Sequence, residues 1–80
     1  MATKQQVIKA LSKIEGAQIT IDKGRFTDIE IIAPEGKVWA GNYCSVYCFE
    51  QYYDNPMSEL WDEVLECIEY GIDDDERLDN

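Results

Sequence analysis

Carboxylates are the residues best able to do chemistry in this sequence, and one predicted helix carries a row of them. Apolar residues recur at helical spacing from Met57 to Ile68, and the opposite face holds Glu59, Asp62, Glu63, Glu66 and Glu69, with no Lys or Arg among them. At a rise of about 1.5 Å per residue, acids three or four residues apart lie about 4.5 to 6 Å apart along the helix axis. This is comparable with the few-ångström charge spacing of a nucleic-acid strand. The pattern therefore predicts a partner-binding face that mimics a phosphate backbone, and the alternative is a solvated acidic surface that only confers solubility.

The distribution of charge supports a basic partner. The net charge is −10 over 80 residues. Residues 1–40 hold six Lys and Arg against five Asp and Glu (+1), whereas residues 41–80 hold one against twelve (−11). Direct binding to nucleic acid is excluded by repulsion from the phosphates. We expect the acidic run of Asp73, Asp74 and Asp75 to join the helix face in binding a basic, nucleic-acid-binding protein.

Most catalytic chemistry is excluded by composition. The chain has no His, so imidazole bases, Ser-His and Cys-His pairs and mixed Cys/His zinc sites are all absent. We interpret Cys44, Cys48 and Cys67 as buried structural thiols. We expect no enzyme activity, no catalytic residues, no cofactor and no metal site, and the alternative is weak binding of a divalent cation by the acidic run after Gly71.

Aromatic residues provide a second interpretation of function. All five Tyr follow position 42, and Tyr is a favoured residue at interfaces. We assign Trp39, Phe49 and Trp61 to the core. The tyrosines predicted at an interface are Tyr43, Tyr47, Tyr52 and Tyr53. The alternative function is thus a small adaptor, or a self-associating subunit, that docks through a Tyr-rich surface.

The elements that position these residues begin with a helix. Thr3 and Gln6 form a capping-box pair, and the apolar spacing predicts a helix over 4–15 that ends at Gly16. Alternating residues then predict three strands within 17–40, arranged as an antiparallel meander. Residues 43–49 fit an edge strand best, although a short helix also accommodates them.

The second helix has clear boundaries. Asn55 suits the N-cap, Pro56 the first helical position, and Gly71 the left-handed position after the helix, with Ile72 folding back in a Schellman arrangement. We predict one compact α+β domain over 1–72 and a flexible acidic tail over 73–80. An antiparallel sheet of three or four strands is covered on one face by the two helices.

Two resemblances agree with an inhibitory role. In size, charge and inferred topology the chain resembles small phage-encoded anti-CRISPR proteins, which block the DNA-contacting groove of a nuclease with carboxylates. Tyr52-Tyr53 followed by Leu60-Trp61-Asp62 is similar to the spacing in the barstar family of ribonuclease inhibitors, although Asp54-Asn55-Pro56 replaces that family's Gly-Glu-Asn. Both resemblances imply a non-enzymatic inhibitor whose acids and tyrosines block a basic site.

The remaining expectations concern location and assembly. No apolar stretch approaches the roughly 18 residues that span a bilayer, and no signal-peptide pattern begins the sequence. An odd number of Cys fits a reducing compartment. We therefore expect a cytoplasmic protein with no membrane partner, either a monomer or a homodimer.

Overall fold

The computed structural model describes residues 1–24, 26–52 and 57–76. Within these described residues, two helices and five strands follow one another in the order α1 (Lys4–Ser12), β1 (Gln18–Lys23), β2 (Phe26–Ile32), β3 (Lys37–Trp39), β4 (Val46–Tyr52), α2 (Met57–Glu69) and β5 (Ile72–Asp74). β1, β2 and β4 form a three-stranded antiparallel sheet in the order β1-β2-β4, and β3 pairs with β5 in a separate antiparallel ribbon. The predicted α+β class is confirmed.

Helix α1 begins where its capping residues require. The side chain of Thr3 accepts from the N–H of Gln6, and the side chain of Gln6 accepts from the N–H of Thr3. The helix ends at Ser12, earlier than predicted, because the backbone bonds that follow join residues three apart, as in a 3₁₀-helix, rather than four apart. Ile14 N–H donates to Leu11 O, and Ala17 N–H donates to Ile14 O. Gly16 follows with a φ of 89°, a left-handed conformation that favours Gly.

The core lies between the inner face of the three-stranded sheet and the two helices. The cross-strand pairs Ile19 with Ile31 and Ile29 with Phe49 place these side chains on one face. Val7 of α1 and Leu60 and Val64 of α2 pack against that face, and all three are almost fully buried. The predicted core positions Trp39, Phe49 and Trp61 are confirmed, each at most 7% exposed. The indole Nε1 of Trp39 donates to Ile31 O at 3.1 Å.

The predicted three-stranded meander over 17–40 is wrong in its third strand. Lys37–Trp39 is a strand, but it pairs with β5 rather than with β2. The turn at Pro34 to Lys37, in which Gly36 has a φ of 80°, redirects the chain. The position beside β2 is taken by β4, which confirms the preference for an edge strand over a helix in this region. The strand starts at Val46 because Tyr43, with a φ of 58°, still belongs to the preceding turn.

Helix α2 ends at the predicted left-handed glycine. Gly71 has a φ of 82°, and its N–H donates to Ile68 O at 3.0 Å, one of the two backbone bonds that a Schellman arrangement requires. The predicted capping residues Asn55 and Pro56 lie outside the described residues. The chain then forms β5, so it is paired at Asp73 and Asp74, the first two positions of the predicted tail. Residues 77–80 of that tail lie outside the described part. Neither α1 nor α2 combines the length and apolarity that a membrane-spanning helix needs.

Candidate functional site

The outward face of α2 presents its carboxylates as the sequence predicted, with one exception. Glu59, Glu63, Glu66 and Glu69 are exposed, and none of them forms an ion pair with a described residue. Asp62 is exposed as well, but its Oδ1 accepts a hydrogen bond from the N–H of the buried Ala2 just before α1. Asp62 thus fixes the N-terminal segment to α2 and is less available to a partner than the four glutamates.

A second acidic surface, which the sequence analysis missed, lies on the outer face of the three-stranded sheet. Asp22 pairs across strands with Asp28, and Asp28 pairs with Glu50, so three carboxylates form a row across all three strands. Glu30 lies on the same face, opposite Cys48. Strands in a sheet are about 4.8 Å apart, and like charges directly opposite one another are destabilising. The alternation of polar and apolar residues in β1, β2 and β4 indicates that these acids face solvent. That they lie opposite one another follows only from the register of the strands.

The thiol of Cys48 lies among the carboxylates of this outer face, and their charge affects its pKa. The pKa of its thiol is raised by partial desolvation, and also by the charge of Glu30, a hydrogen bond to that carboxylate, and the charges of Asp28 and Glu50. Cys48 and Cys44 are exposed, so the interpretation of all three Cys as buried thiols is correct only for Cys67. Burial raises the pKa of the Cys67 thiol, and a hydrogen bond from Asn42 partly offsets this.

An acidic groove separates β4 from α2 and connects the two acidic surfaces. The groove has a volume of about 420 Å³, and Tyr47, Cys48, Phe49 and Glu50 of β4 line it. It is also lined by Glu63 and Glu66 of α2 and by Tyr70 just after that helix. Glu50 and Cys48 also border the hollow on the outer sheet face, so the groove beside α2 and the acidic face of the sheet meet at these two residues of β4. We call this surface the acidic band; it consists of Glu63, Glu66, Glu50, Glu30, Asp28 and Asp22.

The predicted acidic run is separate from this groove. Asp73, Asp74 and Asp75 line a different cleft, with Tyr43 and Glu76. Asp74 forms an ion pair with Lys37 across the β3–β5 ribbon, and Asp75 N–H donates to Gly36 O at 2.9 Å. These contacts give the run a structural role in closing the ribbon. Among residues 1–24, 26–52 and 57–76, no group of three or more acidic, Cys or His side chains is arranged to hold a metal ion.

The two predicted tyrosines whose side chains are described, Tyr43 and Tyr47, lie in different clefts. Tyr47 lies in the groove, where its ring packs edge-on against Phe49 at a centroid distance of 4.8 Å. Tyr43 is 71% exposed in the other cleft. Tyr52 ends β4, but its side chain lies outside the described residues, as does Tyr53 altogether. Tyr70 was not predicted as a site residue, yet it is 63% exposed and lines the groove beside Glu66.

Comparison with known proteins adds no relative. No protein-family model matches the chain, and neither a curated protein nor a solved structure matches it. The function must therefore be argued from the geometry of the site.

Proposed function

We propose that this chain is a non-enzymatic binding protein that uses its acidic band to occupy the nucleic-acid-binding surface of a basic protein and so inhibit it. The observation that carries the proposal is the continuity of the band. Glu50 belongs both to the groove beside α2 and to the outer face of the sheet. The partner would meet carboxylates from four elements, α2, β4, β2 and β1, on one surface.

The energetics of the band favour a role in binding. The row of Asp22, Asp28 and Glu50 sets like charges directly opposite one another, at a cost of a few tenths of a kcal/mol per pair or more. Glu66 lies near the C-terminus of α2, where the helix dipole disfavours negative charge. These costs reduce stability and are offset when a partner supplies cations. Bringing a basic surface to the band would replace repulsion with attraction.

The geometry also suits a target that normally binds phosphates. Carboxylates along α2 are separated by about 4.5 to 6 Å along the axis, and those across the sheet by about 4.8 Å per strand. A protein surface that reads a nucleic-acid backbone carries Lys and Arg at comparable spacing. Tyr47 and Tyr70 also line the groove, and Tyr rings can bind cations on their faces.

The test is a pair of charge-matched variants. Glu63→Lys/Glu66→Lys alters the groove, whereas Glu15→Lys/Glu35→Lys makes the same change in net charge at exposed positions elsewhere. Each tagged protein is used to capture proteins from a bacterial lysate with elution by a salt gradient. A captured nucleic-acid-binding protein is then assayed for release of labelled DNA or RNA when the free domain is added.

We expect the unmodified chain and the Glu15/Glu35 variant to retain the same basic protein and to displace its nucleic acid. The groove variant should lose both properties, because it places two cations where the partner's cations bind. Equal retention by the two variants would contradict the proposal, as would capture without displacement of nucleic acid.

A further inference from the structure

The edge of β4 that faces the acidic groove is unpaired in the described part of the chain. Strand order is β1-β2-β4, so β2 occupies one edge of β4 and no described strand pairs along the other. Among the bonds of the described residues, this edge is bridged just before β4, where Trp39 N–H donates to Cys44 O at 2.8 Å. An open strand edge displays backbone donors and acceptors that can pair with an additional strand.

The register identifies which backbone groups face the groove. Ala33 N–H donates to Ser45 O at 2.7 Å, one position beyond the Ile32–Val46 pair, so Ala33 and Ser45 form a hydrogen-bonded pair. Such pairs alternate with non-hydrogen-bonded ones along an antiparallel ladder. The backbone groups of Tyr47 and Phe49 therefore bond to β2. The N–H and C=O groups of Cys48 and Glu50 point to the open edge, and both residues line the groove.

The groove walls determine the chemistry of an added strand. Its side chains would alternate between the two faces of the sheet. Those on the helix side would meet Glu63 and Glu66, and those on the outer side would meet Glu50. The side chains of an added strand would therefore meet carboxylates on both faces of the sheet, and a segment rich in Lys and Arg has the complementary charge.

Charge also discriminates between occupants. A second copy of this chain, pairing through the same edge, would bring its own Glu50, Glu63 and Glu66 against their counterparts, and each copy has a net charge of −10. A basic extended segment has the opposite charge and supplies the missing backbone partners. We propose that the open edge of β4 binds an extended Lys- or Arg-rich segment of the partner by strand addition. This inference rests on the proposed function, since it names how that partner engages the acidic band.

The experiment measures amide hydrogen exchange in the full chain, with and without a synthetic probe. The probe is an acetylated, amidated peptide of about eight residues that alternates Lys and Thr, a length typical of a strand. We expect the amide protons of Cys48 and Glu50 to exchange rapidly in the free protein and to become protected in the complex. The amide of Phe49, which bonds to β2, should be protected in both states.

Two methylated peptides control for simple charge attraction. One peptide carries N-methyl groups on every Lys amide, and the other carries them on every Thr amide. In an extended strand the amides of alternate residues point to the same edge, so only one of the two peptides has methyl groups on the edge that pairs with β4. We expect one methylated peptide to bind about tenfold more weakly, the effect of losing one or two net hydrogen bonds, and the other to bind as the parent does. Equal affinities of the two would overturn strand addition.

The outcomes separate this inference from the proposed function. Salt-sensitive binding of the parent peptide without protection of the Cys48 and Glu50 amides would overturn strand addition and leave the charge-based function standing. Protection that is already present in the free protein, and that increases with its concentration, would show that a second copy occupies the edge and would also overturn the inference. The proposed function is tested independently: it would be contradicted if Glu63→Lys/Glu66→Lys and Glu15→Lys/Glu35→Lys retained the partner equally.

Discussion

At the scale of single residues, position in the fold determines which acids are available to a partner. Asp62 and Glu63 are neighbours in sequence, yet Asp62 accepts the N–H of Ala2 while Glu63 lines the groove. Asp74 is similarly engaged by Lys37. A count of carboxylates therefore overstates the binding surface, and the residues to alter are those whose oxygens face open solvent.

Cys48 offers a direct probe of the acidic band. Its thiol pKa is raised by desolvation and by Glu30, Asp28 and Glu50, so less of the reactive thiolate is present at a given pH than for an ordinary exposed Cys. We predict that Glu30→Gln, which removes one of these charges and weakens the hydrogen bond to the thiol, lowers that pKa. Alkylation of Cys48 by iodoacetamide, followed by mass spectrometry across a pH series, should then become faster at a given pH.

Cys44 is the internal control for that measurement. Its side chain is exposed and bonds to Asn42 O rather than to an acid of the sheet. Its alkylation rate should be the same in Glu30→Gln as in the unmodified chain. An unchanged Cys48 rate would mean that the carboxylates of the outer face do not act on the thiol as the geometry requires.

At the scale of elements, the sequence predicted what depends on local interactions. The capping box of α1, the glycine that ends α2 and the apolar face of α2 each depend on residues within a few positions of one another. The pairing of β3 with β5 joins segments more than thirty residues apart, and no alternation within either three-residue strand reveals it. The acidic row on the sheet was missed for the same reason, because cross-strand neighbours are set by register.

The cost of that row is testable in the sheet itself. Asp28 lies between Asp22 and Glu50, so Asp28→Lys converts two repulsive cross-strand pairs into attractive ones. We predict that the free energy of unfolding, measured by urea denaturation, increases by about 0.5 to 1 kcal/mol. Asp28→Asn, which removes the charge without adding a cation, should give a smaller increase. Destabilisation by both substitutions would show that Asp28 contributes to the fold rather than opposing it.

At the scale of the whole molecule, charge is segregated rather than merely abundant. The half of the chain that supplies α1, β1, β2 and β3 is nearly neutral, whereas the half that supplies β4 and α2 has a net charge of −11. The pairing of β1 and β2 with β4 also places three acids of the nearly neutral half, Asp22, Asp28 and Glu30, on the same sheet face as Glu50. The resulting field would steer a basic partner towards β4 and α2 and accelerate association.

Salt should affect folding and binding in opposite directions. Raising NaCl from about 0.01 M to about 0.5 M shortens the Debye length from about 30 Å to a few ångströms, which screens repulsion within the band. We predict that Tm rises by several degrees over this range, since about 1 kcal/mol corresponds to about 4 to 8 °C for a domain of this size. Affinity for a basic partner should fall over the same range.

The charge-matched variants show whether this effect is local. Glu63→Lys/Glu66→Lys and Glu15→Lys/Glu35→Lys have the same net charge, so a response to net charge alone would flatten the dependence of Tm on salt equally in both. If repulsion is concentrated where α2 meets β4, the first variant should lose most of the dependence and the second should retain it, because Glu15 and Glu35 lie in the nearly neutral half of the chain. Thermal unfolding followed by circular dichroism in NaCl distinguishes the two. Equal slopes would contradict a local field at the groove, and with it the steering of a partner towards this part of the molecule.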